Sequence, residues 1–250
     1  MAAAVGHGPT SSPRDVPGEA VRTMTSLLEK GTGMLQNFAP PKQIHQHLCA
    51  FHFYAYDLTR QVEAHHFCGH YNEDVHQCAI YDSPEENARL IGIEYIVSEN
   101  VFLKLPDAEK PLWHSHEYEV QSGVLFAPWI PETLEKVPMS EICKTYGKVF
   151  HFWQYDRGDT LPLGLPQLMM ALTDDGQLHP KLAEDVETRF AVSFEEKRRN
   201  RADLKGPDHG IHPLANLWKS GKGLASVLRE CDANLPSKLQ EISKGAVSGL

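Results

Sequence analysis

Three segments between residues 61 and 98 alternate in the manner of β-strands, and the turns that join them are short. Segments 61–70 and 75–82 flank a polar turn at 72–74, and segment 89–98 has apolar side chains at every second position. A short turn joins antiparallel strands, because parallel neighbours need a crossover of about a dozen residues or more. This spacing predicts an α+β fold, with a single domain around an antiparallel sheet and short helices.

Composition divides the rest of the chain into regions. Residues 1–19 are rich in Ala, Gly, Pro and Ser, which is typical of a disordered tail. Residues 20–37 carry a helical apolar stripe and form an amphipathic arm, which we expect either to dock on the domain or to insert into a lipid surface. The α+β core domain covers 38–172, and 173–250 is an irregular, partly helical C-terminal extension.

Several shorter segments are assigned from local patterns. We expect a strand at 117–126, a loop at 128–138 and a short Met-rich helix at 167–172. Segment 43–57 fits either a helix that leads into a strand or one long strand. In the arm, the glycines at 31 and 33 are expected to weaken or break the helix.

Charge and hydropathy argue against several classes of partner. The net charge is −9 and the pI is about 5.8, so the chain lacks the basic surface that binds nucleic acid or docks on anionic membranes. No apolar run approaches the roughly 18 residues that span a bilayer, so we expect any membrane association to be peripheral. The five cysteines are odd in number and contain no CxxC pair, which favours a reduced intracellular compartment over a disulfide scaffold.

Histidines concentrate in two segments that are candidates for chemistry. His65, His66, His114 and His116 are the candidate metal ligands, because neutral imidazole is the commonest protein ligand for zinc and related divalent ions. If both segments are extended, His114 and His116 share a face, whereas His65 and His66 face opposite sides. The spacing is not diagnostic of a metal site, and the alternatives are a proton-transfer site and a buried polar layer.

Two carboxylates are the candidate catalytic groups. Glu94 lies in the most regular predicted strand and Glu119 follows the second histidine pair, so each is a candidate general base or the partner that fixes an imidazole tautomer. Among possible nucleophiles, Cys68 is the better reactive candidate, and Cys78 is expected to be an inert core thiol. The sequence has no GxSxG elbow, Walker loop or dinucleotide fingerprint.

Several short motifs follow one another in a fixed order along the core. They are QVEAHH at 61–66, NED at 72–74, QCAIYDS at 77–83, ARLIGIEY at 88–95, LWHSH at 112–116, KTYGK at 144–148, WQ at 153–154 and DRGDTLPLG at 156–164. With these motifs the chain resembles the plant oil body-associated protein family, closely over 25–172 and loosely through 216–223. Cys68 and His70 do not belong to the motifs, so the metal hypothesis rests on the four histidines named above.

The resemblance implies association with seed oil bodies, which are lipid droplets, and a role in keeping them small and stable. It implies a non-catalytic protein of the cytoplasm and the droplet surface, held there by lipid or by droplet proteins. The residues support a second hypothesis, in which a histidine-based site binds a divalent transition metal such as zinc. Such a protein would be a metal-dependent hydrolase or lyase that acts on a small or lipid-derived molecule.

Overall fold

A computed structural model describes residues 16–231 of the 250-residue chain. The predicted tail at 1–19 therefore lies almost wholly outside the described residues, as does the end of the predicted extension beyond 231. The strands are β1 (Gln46–Tyr54), β2 (Asp57–Asn72), β3 (Val75–Tyr81), β4 (Leu90–Ser98), β5 (His114–Ser115), β6 (Thr145–His151) and β7 (Gln167–Ala171). The α-helices are α1 (Thr23–Leu35), α2 (Glu99–Leu103), α3 (Glu117–Ser122), α4 (Glu132–Ile142), α5 (Pro180–Phe190) and α6 (Phe194–Asn200).

The strands form one antiparallel sheet that closes on itself. Neighbouring strands follow the order β4-β3-β2-β1-β7-β6, and β6 also pairs with β4, from Ser98 opposite Thr145 to Gly92 opposite His151. The predicted antiparallel sheet is confirmed, and it is a six-stranded barrel. Closure pairs β4 with β6, which would otherwise be edge strands with unpaired backbone groups. The two-residue β5 pairs with β6 next to the residues that pair with β7.

Alternation along each strand divides the side chains between the barrel interior and its outer surface. Buried side chains from all six barrel strands meet in one cluster, which places that cluster inside the barrel: Tyr54, Val62, Ala64, Cys68, Cys78, Ile80, Ile91, Ile96, Val149, Tyr155 and Met169. On the outside, Phe51 and Phe53 of β1 pack with Leu182, Val186 and Phe194. Two helices of the C-terminal extension, α5 and α6, thus cover the outer face of β1.

The helix predicted at 167–172 is wrong, because this segment is strand β7. Met169 faces the barrel interior, whereas Leu168 and Met170 pack with the outer cluster beneath α5 and α6. A strand buried on both faces is a continuous apolar run, so its sequence lacks the alternation that marks a half-buried strand. For segment 43–57, the structure selects the strand, β1.

The strand predicted at 117–126 is also wrong, because α3 occupies its first half. Glu117 and Glu119 stand in the first turn of α3, where the helix dipole favours negative charge. Gly123 ends the helix with a left-handed backbone (φ 86°), a conformation that glycine adopts without a steric penalty. The loop predicted at 128–138 gives way to α4 from Glu132 onwards, and Pro138 lies inside that helix.

Helix α1 forms but does not pack on the barrel. None of its residues is buried, and it continues through Gly31 and Gly33. The expectation that its apolar stripe docks on the domain is therefore wrong for this structure. Its large apolar side chains are mostly exposed, with Leu27 at 63% and Leu28 at 61%.

Two of the cysteines form a disulfide inside the barrel. Cys68 of β2 and Cys78 of β3 are directly opposite each other, with 4.1 Å between their Cα atoms, and their sulfur atoms are bonded. The prediction of a reactive thiol at Cys68 and an inert free thiol at Cys78 is therefore wrong. Cys49 and Cys143 are buried free thiols.

Candidate functional site in the barrel interior

The carboxylate of Glu94 is the centre of a buried cluster of imidazoles. Glu94 lies on β4 and is 1% exposed. Its Oε2 lies 2.8 Å from His66 Nε2, and its Oε1 lies 3.3 Å from the Nε2 atoms of both His114 and His116. Three of the four histidines predicted as metal ligands therefore meet around one of the two predicted catalytic carboxylates.

Strand parity and a backbone bend place these histidines. His66 has the parity of Ala64 and Cys68, which face the barrel interior. His114 is the first residue of β5, and His116 has a helical backbone (φ −86°, ψ −1°) as the residue before α3. The bend after β5 leaves the centroids of the two imidazole rings 5.0 Å apart and the rings almost perpendicular, with both Nε2 atoms facing Glu94.

Gly147 of β6 is the residue that leaves room for this convergence. A Cβ atom at this position would lie 2.8 Å from His114 Nε2 and 2.9 Å from His116 Nε2, and closer still to Glu94 Oε1. Distances this short are steric clashes. The three candidate ligand atoms therefore surround a point that is accessible only because residue 147 has no side chain.

Hydrogen bonds fix the tautomers of two of the histidines. The hydroxyl hydrogen of Thr145 is donated to Ile142 O (2.7 Å), so Thr145 Oγ1 accepts the hydrogen of His116 Nδ1 (2.8 Å). The carbonyl of Ala64 lies 3.2 Å from His66 Nδ1 and only accepts, so this nitrogen also carries a hydrogen. In the neutral imidazoles, Nε2 of His116 and of His66 therefore bears a lone pair that faces Glu94.

The electrostatics of the cluster favour a cation. Burial raises the pKa of Glu94, but the contacts with His114, His116 and His66 lower it by a larger amount. The net pKa therefore lies well below its usual value. Burial is also the main cause that lowers the pKa of His116, so its imidazole is neutral at neutral pH. An imidazole lowers the pKa of Glu94 only with a proton on its Nε2; a lone pair there repels the ionised carboxylate at 3.3 Å, and a metal ion between the two atoms removes that repulsion. Among the described residues, neither ring nitrogen of His114 has a hydrogen-bond partner.

Two further histidines, which sequence reasoning missed, extend the cluster on the Oε2 side of Glu94. His52 Nε2 lies 3.2 Å from His66 Nε2 and 3.8 Å from Glu94 Oε2, and His52 Nδ1 lies 3.0 Å from His151 Nε2. Both residues are at most 2% exposed. His52 has the interior parity of Tyr54, which a firm strand assignment for β1 would have revealed.

Glu119, the second predicted catalytic carboxylate, is buried close to this cluster. It is 1% exposed, and its Oε1 has no hydrogen-bond partner in the part of the chain that the structure describes. Burial, and then the charge of Glu94, raises the pKa of Glu119 well above its usual value. Burial therefore favours the protonated form of Glu119, whereas the contacts with the histidines favour the ionised form of Glu94.

The structure does not bring His65 to this site. His65 lies on the outer side of β2, where its Nε2 lies 2.7 Å from Glu63 Oε1 and its Nδ1 lies 2.9 Å from His47 Nε2. Glu63 also accepts hydrogen bonds from Arg189 at 2.5 and 3.2 Å. Because Arg189 belongs to α5, this buried network holds α5 against the barrel. The Sγ atom of Cys49 lies 4.0 Å from Glu63 Oε1, beside the network.

Comparison with known proteins places the chain among relatives that share most of its length. Residues 38–205 match a family described as a protein of unknown function (DUF1264). Oil body-associated protein 1A of Zea mays is 63% identical over 218 residues, which is 87% of this chain and 91% of the relative. Oil body-associated protein 1B of Arabidopsis thaliana is 57% identical over 226 residues, 90% of this chain and 93% of the relative.

More distant relatives carry related names. Oil body-associated protein 2A of Arabidopsis thaliana is 42% identical over 212 residues, which is 84% of this chain and 85% of the relative. No solved structure matches the chain.

Proposed function

The chain belongs to the oil body-associated protein family, and from this we propose that it is a peripheral protein of lipid-droplet surfaces that supports droplet size and stability. The proposal needs a surface that can enter the outer layer of a droplet without spanning a bilayer. None of the helices among residues 16–231 has the length and hydropathy of a membrane-spanning segment.

The observation that carries the proposal is the unpartnered apolar stripe of α1. Met24, Leu27 and Leu28 lie one turn apart and are each more than 60% exposed, and Met34 and Leu35 continue the stripe. An amphipathic helix of this kind lies in the interface plane with its apolar face in the acyl region. Burying one Leu or Met side chain contributes about 1.5–3 kcal/mol, so three of them supply on the order of 5 kcal/mol.

A second exposed apolar surface lies around the start of α4. Trp129 is 71% exposed, and Ile130, Leu134 and Val137 are also exposed. Indole side chains favour membrane interfaces, because the ring is apolar and its N–H is polar. This surface is a second contact for a lipid layer in the same proposal.

Flotation with triacylglycerol emulsions coated with phospholipid tests the attachment. In the variant Leu27→Asp with Leu28→Asp, we expect partition into the floating layer to fall at least about 100-fold, because about 3–6 kcal/mol of apolar burial is lost. The matched control, Thr25→Asp with Ser26→Asp, adds the same charge to the polar face of α1 and should float like the wild type. Equal flotation of the two variants would refute attachment through α1.

The cluster around Glu94 supports a second proposal, a divalent transition metal ion bound by Glu94, His114 and His116. Imidazole and carboxylate suit zinc, and bonds of about 2.0–2.1 Å in a tetrahedral site put neighbouring ligand atoms about 3.3 Å apart. The two distances from Glu94 Oε1 to the histidine nitrogens are each 3.3 Å. Glu94, a candidate base in the sequence, is in this proposal a ligand.

The metal proposal includes a catalytic role for Glu119. A bound ion would activate a water molecule or polarise a substrate oxygen, and a neighbouring protonated carboxyl is suited to donate a proton. This chemistry fits a hydrolase or lyase acting on a small or lipid-derived molecule, and it is compatible with a position on droplets.

Calorimetric titration with Zn²⁺ tests the metal proposal on protein purified without an affinity tag. We expect tight binding in the wild type and its loss in His114→Ala with His116→Ala. The control His209→Ala removes an exposed imidazole outside the cluster and should bind as the wild type does. Absence of tight binding in the wild type would make the cluster a buried polar layer.

A further inference from the structure

The candidate ligands around Glu94 fall into two sets of three. Glu94, His114 and His116 offer ligand atoms that all lie within 4.8 Å of one another, and so do Glu94, His52 and His66. The two sets share Glu94 and use its two oxygens separately. His114 and His116 face Oε1, whereas His66 and His52 face Oε2.

The second set has the dimensions of a metal site in its own right. The three distances among Glu94 Oε2, His66 Nε2 and His52 Nε2 are 2.8, 3.8 and 3.2 Å. These distances lie around the separation of about 3.3 Å that is expected between neighbouring ligand atoms of a tetrahedral zinc ion. All three residues are at most 4% exposed.

Outer partners orient both imidazoles of this second set. The carbonyl of Ala64 receives the Nδ1 hydrogen of His66, which leaves Nε2 as the basic atom. His52 Nδ1 contacts His151 Nε2 at 3.0 Å, so His151 accepts the Nδ1 hydrogen of His52 whenever His52 Nε2 is the basic atom. Ligating histidines in metal proteins are held in this way through the second ring nitrogen.

We propose that the barrel binds a pair of divalent transition metal ions, one held by His114 and His116, the other by His52 and His66, with the carboxylate of Glu94 bridging them. This inference rests on the single-ion proposal above and extends it. A carboxylate that offers one oxygen to each ion holds the ions about 3.5–4 Å apart, the separation of two-metal hydrolytic sites. Such a site binds a phosphate or carboxylate oxygen of a substrate between the ions.

A proton on His66 is the competing explanation for the Oε2 side. An imidazolium at this position would donate its Nε2 hydrogen to Glu94 at 2.8 Å and would leave no role for His52 as a ligand. This alternative predicts one bound ion, and the two-ion site predicts two.

The test is the metal stoichiometry of the full chain after saturation with Zn²⁺ and removal of the excess. We expect about two equivalents in the wild type and in the His209→Ala control. We expect one equivalent in His114→Ala with His116→Ala, and also one in His52→Gln with His66→Gln. Circular dichroism confirms that each variant is folded, and if a double variant fails to fold, a single change at the same ion replaces it, either His114→Ala or His52→Gln.

The outcomes separate the two proposals. One equivalent in the wild type, lost on changing His114 and His116 but kept on changing His52 and His66, would overturn the second ion and leave the single-ion proposal intact. No ion in the wild type would overturn both.

A second readout uses Co²⁺, because two ions bridged by Glu94 couple magnetically. We expect the coupled signal of the wild type to become that of an isolated ion in either double variant, and an isolated-ion signal in the fully loaded wild type would contradict the bridge.

Discussion

Replacing Gly147 by alanine perturbs the interior site with a single methyl group. The new Cβ would lie 2.8 Å from His114 Nε2 and 2.9 Å from His116 Nε2, with Glu94 Oε1 closer still. All three residues are at most 2% exposed, so the side chains have little room to withdraw. Extra methyl groups in a packed interior cost about 1–3 kcal/mol of folding stability.

The same methyl group would occupy the position of the proposed ion. Loss of the hydrogen-bond partner of a metal ligand weakens metal binding about 10–100-fold. We expect Gly147→Ala to weaken Zn²⁺ binding by more than this. Urea denaturation measures the stability cost, and calorimetric titration measures the affinity.

Gly92→Ala is the matched control for Gly147→Ala. Gly92 also lies in the barrel wall, and its Cβ would lie 2.5 Å from Phe150 O and 2.8 Å from His151 Cδ2, away from Glu94, His114 and His116. It should lower stability and retain the ion held by His114 and His116. If Gly147→Ala binds Zn²⁺ as the wild type does, the assignment of these ligands is refuted.

Further predictions concern the outer network and the disulfide. Burial raises the pKa of Glu63, but hydrogen bonds from His65 and Arg189 lower it more, so its net pKa is below the usual value of 4.5. This ion pair therefore stabilises the fold above about pH 4.5. We expect Glu63→Gln to cost about 1–3 kcal/mol at pH 7, less than a fully buried pair because Arg189 is 35% exposed. The difference from the wild type in urea denaturation should shrink as the pH falls below about 4.5, and a pH-independent difference would contradict the assignment. Removing the disulfide with Cys68→Ala should cost about 2–3 kcal/mol, because it opens a loop with a sequence separation of 10 residues. Denaturation with and without a reductant checks this, and insensitivity of the wild type to reductant would count against the bond.

Sequence patterns located the strands of the sheet best where one face is buried and the turns are short. Segments 61–70, 75–82 and 89–98 correspond to β2, β3 and β4, and their antiparallel pairing follows from the connections between them. Barrel closure was not predictable in this way, because the pairing of β4 with β6 joins residues about 50 positions apart. No local periodicity encodes a contact at that separation.

The candidate site was predictable in part. Alternation placed His66 and His65 on opposite faces, and the structure has this arrangement, with His66 inside the barrel and His65 outside. The convergence of His114 with Glu94 depends on barrel closure, because β5 reaches the site through its pairing with β6 at Gly147. His52 was not predicted as a site residue, because its segment fitted either a helix or a strand. Only the strand assignment places its side chain on the interior face of the sheet.

The role of α1 is a question that the sequence left open between docking and lipid insertion. The structure argues against docking on the described part of the domain, since no residue of α1 is buried. An apolar stripe on a helix is the same signal whether its partner is the domain itself or an external surface, so periodicity cannot distinguish these partners. The exposed fractions of Leu27 and Leu28 show that the described part of the domain does not cover the stripe.

The most direct test of the proposed role is the size of phospholipid-coated triacylglycerol droplets, followed by dynamic light scattering during storage with the purified full chain. We predict that the wild type keeps the droplets small. Leu27→Asp with Leu28→Asp should allow them to grow as they do without protein, whereas Thr25→Asp with Ser26→Asp should protect them as the wild type does. Droplets that grow at the same rate with and without the wild-type chain would contradict a role in droplet stability.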